Sequence, residues 1–424
     1  MTQLSFYLRQ LLNKMWFLPA AFSAFAMLTI GLAFYVARWA PDELPLTISQ
    51  QAIQSVLEIL ATSLLTVSVF ALSTLVSALS SASAATSPRA VALIIGDRGA
   101  QTSISVFIGA FLFSILAILG LSAGIYSSAG RMLLFSVTLA VVAVVIAALI
   151  RWIAQISNIG RVGHTISRVE EATAAALQLL EKHPLFDGHP LEGAPVGQPV
   201  RADKLGHVQH FDAARLQKLA EKHELRIAVT ARPGTYVSPL RPLMHVEGHL
   251  EDELAAELVD AFVIGDQRSF ESDPRFGFIV LAEIADRALS PAVNDPGTAI
   301  SVIGTVTRLL VHWQPGKTEG DVVYDRLSIL ALAPQDLLED AFRPIGRDGA
   351  ATIEVVVRLL VSLEVISTVN QHLRPAALAV ARDAAGRARK ALSAPADLET
   401  LEGAAKFAEL AAGVTDISGV EARP

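Results

Sequence analysis

The chain has 424 residues, of which 52% are hydrophobic and only 18% are charged. Soluble domains carry about 25% charged residues, so this composition excludes an ordinary soluble protein. The net charge of −7 at pH 7 argues against nucleic acid as the main partner, and the absence of cysteine excludes disulfides, thiolate metal sites and cysteine nucleophiles.

Most charged residues lie in the second part of the chain, since residues 1–150 hold only 10 of the 75. This first part contains apolar stretches long enough to cross the roughly 30 Å hydrocarbon core of a bilayer, which takes about 20 helical residues. The sequence therefore predicts a four-helix transmembrane domain over residues 1–155, with the lipid bilayer as a partner. The predicted spans lie near 16–38, 59–82, 103–125 and 132–150.

Basic residues in the short loops predict the orientation of these spans, because they resist translocation. Seven basic residues lie before the first span, between the second and third spans, or soon after the fourth span. The other two loops together contain two basic residues. We therefore expect both termini and the large C-terminal region to be cytoplasmic. The loop between the second and third spans contributes Arg89, Asp97 and Arg98, which we expect to contact lipid phosphates or the cytoplasmic region.

The second span carries hydroxylated side chains at helical spacing, so that they share one face of the helix. These residues are Thr62, Thr66, Ser73, Ser77 and Ser80. Two interpretations remain open. Small residues let helices approach closely, which favours packing in a bundle or a homo-oligomer. Hydroxyl groups also replace part of the hydration shell of an ion, which favours a water-lined pathway.

The rest of the chain alternates between helical and strand-like patterns. A helix and a Pro/Gly linker are predicted over residues 156–199, and a small strand-rich module over 200–248. A mainly helical cytoplasmic domain follows over 249–424, and its first helix is predicted at 251–264. The predicted fold class is therefore a membrane α-helical protein with four transmembrane helices plus a cytoplasmic α+β domain.

The cytoplasmic domain contains a polar motif that is a candidate site. Its residues are Arg268, Asp273, Arg287, Ser290, Pro291, Asn294, Asp295, Pro296 and Thr298. Aspartate followed by proline predicts a helix start at both Asp273 and Asp295. Two interpretations of the second start remain open: an ion or phosphate bound at the helix N-terminus, or Asp295 itself capping the helix.

No pattern of a catalytic nucleophile, a nucleotide-binding loop or a zinc protease occurs in the sequence. We therefore expect no catalytic residue, no metal and no cofactor, and a protein that is not an enzyme.

Seven longer motifs, together with Phe70, point to one family. They lie at 80–89, 97–99, 107–111, 206–209, 233–237, 268–277 and 287–299. In their order and spacing the chain resembles the predicted bacterial membrane proteins catalogued as domain of unknown function 2254. The resemblance implies a four-span inner-membrane protein with a cytoplasmic domain, and it implies no known reaction. The chain departs from these motifs at Ser272 and Ala292, where the family leads us to expect Gln and Gly.

Two functions follow as expectations. The first is a homo-oligomeric, channel-like protein whose cytoplasmic domain gates a pore for an ion or small solute. Its spans lack the intramembrane acids, bases and histidines of proton-coupled pumps. The alternative is a membrane-anchored scaffold or sensor, whose cytoplasmic domain binds a protein or a small ligand.

Overall fold

The computed structural model describes residues 17–37, 49–90, 93, 98–124, 126, 128–156, 161–316 and 322–416. These residues fall into two compact units. We call them the N-terminal unit, within Leu8–Thr165, and the C-terminal unit, within Ile166–Pro424.

The described part of the N-terminal unit is helical. Its helices are α1 Phe17–Ala37, α2 Gln50–Ala85, α3 Arg98–Ser122 and α4 Ser128–Ile156. Among the described residues, the segments long and apolar enough to cross a membrane are Gln50–Ala84, Gln101–Ser122 and Gly130–Ile156. They correspond to the predicted spans near 59–82, 103–125 and 132–150.

The second of these helices begins earlier than predicted, at Gln50, because Ser49 caps it. The Ser49 hydroxyl accepts a hydrogen bond from the Ala52 amide at 3.2 Å. One face of α2 packs against α3, and it buries Ile53, Leu57 and other apolar side chains. On the outer faces of these helices many large apolar side chains are exposed, as expected for helices surrounded by lipid.

The C-terminal unit contains two β-sheets. The larger sheet has the strand order β1-β8-β4-β6-β2, and the smaller has the order β5-β3-β7. In chain order the strands are β1 Gly188–Pro190, β2 Gln198–Val200, β3 Gly206–Phe211, β4 Arg226–Val229, β5 Tyr236–Val237, β6 Met244–Glu247, β7 Phe262–Gly265 and β8 Tyr324–Ile329. Strand β8 runs parallel to β1 and β4, while the other pairs are antiparallel.

The C-terminal unit also contains helices, which lie before, between and after its strands. The helices that lie wholly or mainly in it are α5 Val162–Lys182, α6 Ala213–Lys222, α7 Asp252–Val259, α8 Pro274–Leu289, α9 Pro296–Val311, α10 Pro334–Asp348, α11 Ile353–Val369, α12 Arg374–Ala391 and α13 Pro395–Asp416. Helix α8 packs against α9 and α10, and α12 packs against α10, α11 and α13. The predicted helix starts at Asp273 and Asp295 are confirmed, with proline in the first turn of each helix.

Two local predictions were wrong. The helix predicted over 251–264 ends at Val259, and Phe262–Gly265 forms β7, because this apolar segment pairs with β3. The segment predicted as a Pro/Gly linker is not only a linker, because it contributes β1 and β2. These strands lie at the two edges of the larger sheet, where a proline removes no ladder hydrogen bond from a neighbour.

Candidate functional site

A left-handed turn connects α5 to β1. Leu185, Phe186 and Asp187 have φ values of 53°, 52° and 68°. Left-handed backbone costs a residue other than glycine about 1–2 kcal/mol, so the surrounding contacts must hold the turn in place. Such conformations cluster at ligand clamps and switch regions, which makes this turn a candidate site.

Aromatic and apolar packing holds the turn. Leu185 is 6% exposed and belongs to the core that lies on the larger sheet. The rings of Phe186 and Phe211 lie 4.6 Å apart between centroids. The Arg232 guanidinium lies 5.7 Å from the Phe186 ring centroid and donates a 2.8 Å hydrogen bond to the carbonyl oxygen of Leu330. Burial lowers the pKa of Arg232 to about 10, so this cation is held in a poorly solvated position.

A histidine and an aspartate bracket the turn. The Nδ1 atom of His183 lies 3.0 Å from each carboxylate oxygen of Asp187. Burial raises the pKa of the nearby Tyr324 hydroxyl, and the carboxylates of Asp187 and Asp212 raise it further. The two carboxylates therefore place negative charge near this hydroxyl, which disfavours an anionic group beside it.

These side chains line a cavity of about 100 Å³ beneath the turn. Its polar lining consists of His183, Asp187, His210, Ser272 and Tyr324. The remaining lining is apolar and consists of Ala176, Leu179, Leu180, Phe186, Phe211 and Ala213. Apolar walls with a few convergent polar groups are typical of small-molecule sites. The cavity therefore suits a small, uncharged molecule with a polar end.

Sequence reasoning missed this site, because the segment was interpreted as a linker. The one available signal was the spacing of four between His183 and Asp187. No residue pattern identifies three consecutive left-handed residues, because the contacts that hold them come from β3 and from the loop after β4.

The predicted residues Arg268 and Asp273 form a buried ion pair at the start of α8. Arg268 Nε and Nη2 donate to the two carboxylate oxygens of Asp273 at 2.7 and 3.0 Å, and the Asp273 side chain is 2% exposed. Burial raises the pKa of Asp273, while the guanidinium of Arg268 acts in the opposite direction. At the adjacent Gly234, with φ +90°, a Cβ atom would overlap the Asp273 carboxylate, so the segment at 233–237 packs on this pair.

The remaining residues of the predicted motif lie at the other end of α8. The Asp295 carboxylate accepts hydrogen bonds from the Thr298 amide at 3.1 Å and the Thr298 hydroxyl at 2.6 Å, as the capping interpretation predicts. These hydrogen bonds lower the pKa of Asp295. In the same connection Ser290 donates to the carbonyl oxygen of Arg287 at 2.7 Å, and Asn294 has a φ of 49°.

The predicted cytoplasmic motif is therefore not brought together at one place. Helix α8 has 16 residues and a length of about 24 Å. Arg268 and Asp273 lie at its start, whereas the connection to α9 follows its end. That connection contains Ser290, Pro291, Asn294 and Asp295, while Arg287 lies in the last turn of α8 and Pro296 and Thr298 lie in the first turn of α9.

The hydroxylated face of α2 is exposed along its length. This holds for all five of its residues, Thr62, Thr66, Ser73, Ser77 and Ser80. The Thr62 and Thr66 hydroxyls donate to the helix's own backbone, at the carbonyl oxygens of Glu58 and Thr62. In the loop that follows, Arg89 is exposed, Asp97 lies outside the described residues, and Arg98 begins α3.

Comparison with known proteins places the chain among membrane proteins. A family model described as "Predicted membrane protein (DUF2254)" matches residues 12–365. Uncharacterized protein Rv1290c of Mycobacterium tuberculosis and uncharacterized protein Mb1321c of Mycobacterium bovis are each 55% identical to this chain over 40 residues. That match covers 9% of this chain and 8% of each relative, so it spans less than two thirds of the relatives' length. No solved structure matches the chain.

Proposed function

Because this chain belongs to the DUF2254 family of predicted membrane proteins, we propose that it is a membrane-anchored sensor whose C-terminal unit binds a small ligand. The observation that carries the proposal is the left-handed turn held over the cavity of His183 and Asp187. Strained backbone of this kind is found where a ligand or a switch uses it. The sensor binds its ligand without catalysing a reaction.

The position of the cavity suggests how binding is reported. The cavity is lined by the last turns of α5, the first helix of the C-terminal unit in sequence. A ligand that displaces His183 or Phe186 changes the packing of the turn. Because α5 ends at this turn, the displacement is passed along α5 toward the start of that helix. The size of the cavity, compared with the roughly 150 Å³ cavity that holds benzene, fits a ligand of about four to five non-hydrogen atoms.

The test compares two probes of the same shape, propionamide and propionate, on the full chain in detergent. Because Asp187 and Asp212 make the site negative, we expect saturation-transfer NMR signals from the neutral amide and not from the anion. Ala176 lines the cavity, so Ala176→Leu should abolish the propionamide signal. Ala175→Leu, at an exposed position of the same helix, is the matched control. Equal signals from both probes, or a signal that survives in folded Ala176→Leu protein, would contradict the proposal.

A second candidate function is a homo-oligomeric, channel-like protein gated by its C-terminal unit. It is supported by the exposed hydroxylated face of α2, which is available to a second copy of the chain. The test is ion flux into vesicles containing the purified protein. Leu substitution at Thr66, Ser73 and Ser77 should abolish flux while the oligomer persists in light scattering. Leu72→Val, at an exposed apolar position about 100° around the helix from Ser73, should preserve the flux. The absence of any flux from the unsubstituted protein would exclude this function.

We further propose four spans in the bacterial inner membrane, with both termini and the C-terminal unit in the cytoplasm. Helix α1 corresponds to the first predicted span and supports the total of four, because it has 21 residues with no charge and packs against α3 and α4. The excess of basic residues in the loops assigned to the cytoplasm supports the orientation.

A further inference from the structure

A groove of about 490 Å³ lies between α8, α10 and α12, apart from the cavity described above. Its lining carries charges of both signs. The acids include Glu283, Asp286 and Glu339, and the cations are Arg343, Arg347 and Arg387. Pockets that bury drug-sized ligands occupy about 300–1,000 Å³, so the groove is large enough for a small ligand.

Among the acids of the groove, Asp286 has a carboxylate with an incomplete set of hydrogen bonds. Its side chain is 22% exposed, and its buried Oδ1 atom has no hydrogen-bond partner among the described residues. Its Oδ2 atom lies 3.6 Å from Nη2 of Arg347, but Arg347 donates two hydrogen bonds of 2.5 and 3.1 Å to Asp348 instead. Burial, and then the Asp348 carboxylate, raise the pKa of Asp286 to about 7. A cationic group in the groove would supply the interaction that this carboxylate lacks.

The cations of the groove differ in how far they are already paired. Arg387 donates to Asp383 at 2.9 Å, so its charge is partly neutralised. Arg343 contacts Glu339 at 3.6 Å and is 59% exposed, and within the described residues its guanidinium makes no hydrogen bond. Asp340 is held by Arg275 at 2.6 and 3.2 Å, which removes it as a competitor. Arg343 is therefore the cation best placed to receive an acidic group.

We propose that this groove binds a small zwitterion, with its ammonium group against Asp286 and its acidic group against Arg343. An anion alone would meet the repulsion of Asp286, Glu283 and Glu339, and a cation alone would meet that of the arginines. A molecule with opposite charges at its two ends satisfies both sides of the groove. Among the described residues, the groove and the proposed sensor cavity share no lining residue. An experiment that contradicts one proposal therefore leaves the other untouched.

The experiment is isothermal titration of the full chain in detergent with 4-aminobutyrate, butylamine and butyrate. The first carries both charges and the others carry one each. We expect 4-aminobutyrate to bind at least tenfold more tightly than either single-charge probe. Glycine and 6-aminohexanoate test shorter and longer charge separations. Equal affinities for the three matched probes, or no binding of any zwitterion in the series, would overturn the proposal.

Variants assign the two ends of the ligand. Asp286→Asn keeps the shape of the side chain and should weaken 4-aminobutyrate binding tenfold or more, as should Arg343→Gln. Arg374→Gln, at an exposed position in the first turn of α12, is the matched control and should leave the affinity unchanged. Unchanged binding in folded Asp286→Asn protein would place the ligand elsewhere and overturn the assignment.

A pH series gives a second readout. Between about pH 6 and pH 8 the fraction of ionised Asp286 rises about tenfold, so the affinity for 4-aminobutyrate should rise by a similar factor. Asp286→Asn should remove this rise, and an affinity that falls with pH would contradict the inference. The charged groups around Asp286 are Glu283 on α8, Glu339, Asp340, Arg343, Arg347 and Asp348 on α10, and Asp383 and Arg387 on α12.

Discussion

Asp187 connects the backbone strain of the left-handed turn to the electrostatics of the cavity. Its φ of 68° favours Asp, Asn or Gly, and its carboxylate acts on both His183 and Tyr324. Asp187→Asn therefore changes the charge while it retains a residue that tolerates this backbone. We expect the pKa of Tyr324 to fall in this variant but to stay above its ordinary value, because burial is the larger cause of its shift.

Tyrosinate absorbance followed during an alkaline titration measures this change, with Tyr324→Phe protein as the reference that isolates one tyrosine. A pKa of Tyr324 that does not move would show that the Asp187 carboxylate does not contribute to the electrostatics at this hydroxyl.

The ion pair of Arg268 and Asp273 stabilises the start of α8 in a way that depends on both partners. Asp273→Ala would leave a largely buried guanidinium without its partner, which costs about 3–5 kcal/mol. The expected result is a large drop in the melting temperature of the full chain. Glu171→Ala removes an exposed ion pair with Arg168 and should cost less than about 1 kcal/mol. Similar losses from both changes would contradict the burial argument.

Asp286 predicts a pH dependence of stability with a definite sign. Its folded pKa of about 7 lies above the ordinary value of about 3.9, so the folded protein holds the proton more tightly than the unfolded chain. Stability should therefore fall as pH rises from about 4 to about 7, and the cost persists above that range. After allowance for solvent screening, the cost is about 1–3 kcal/mol.

Asp286→Asn removes this titration. The melting temperature of the variant relative to the unsubstituted chain should therefore be higher at pH 8 than at pH 5. A difference between the two proteins that is the same at both pH values would show that Asp286 titrates normally.

At the scale of elements, α9 owes its first turn to a single side chain. Asp295 accepts hydrogen bonds from both the amide and the hydroxyl of Thr298, and Pro296 occupies the first turn. Asp295→Ala should cost about 1 kcal/mol, and Asp295→Asn should recover most of it. Faster amide exchange at the start of α9 in the Ala variant is the expected measurement. Equal exchange in the Ala and Asn variants would show that the cap does not hold this turn.

The elements that the sequence predicts correctly are those with local causes. The caps at Asp273 and Asp295 and the long apolar helices α2 to α4 depend on residues within one or two turns. Strand β7 was predicted as helix, because the spacing of its apolar residues is compatible with both a helix and a strand. Pairing with β3, which the local sequence does not reveal, makes it a strand. The same reason applies to β1, which exists because β8, far along the chain, pairs with it.

The candidate site was less accessible to sequence reasoning than the fold. The cavity joins α5, the left-handed turn, the end of β3 and Tyr324, which no spacing rule connects. Asp286 likewise stands out only when helix packing buries it and α10 brings Asp348 near it. Tertiary contacts therefore create both sites, whereas the motif that the sequence did indicate is divided between the two ends of α8.

At the scale of the whole molecule, the chain joins a unit with large exposed apolar side chains to a unit with mixed sheets and charged grooves. The proposed arrangement places Gln51 and Ala123 on the outer side of the inner membrane, and residue 2 and Lys222 on the inner side. The sequence has no cysteine, so a single introduced cysteine is the only thiol in each variant.

We expect a maleimide that cannot cross the inner membrane to label Gln51→Cys and Ala123→Cys in intact cells, because both positions are exposed on the chain, Gln51 ahead of the second proposed span and Ala123 at the outer end of the third. Thr2→Cys and Lys222→Cys should be labelled only after the inner membrane is lysed. Labelling of Thr2→Cys together with Gln51→Cys in intact cells would mean that α1 does not cross. The reverse labelling pattern at all four positions would show that the orientation is opposite to the proposed one. The proposed ligand sites would then face the outer side of the membrane.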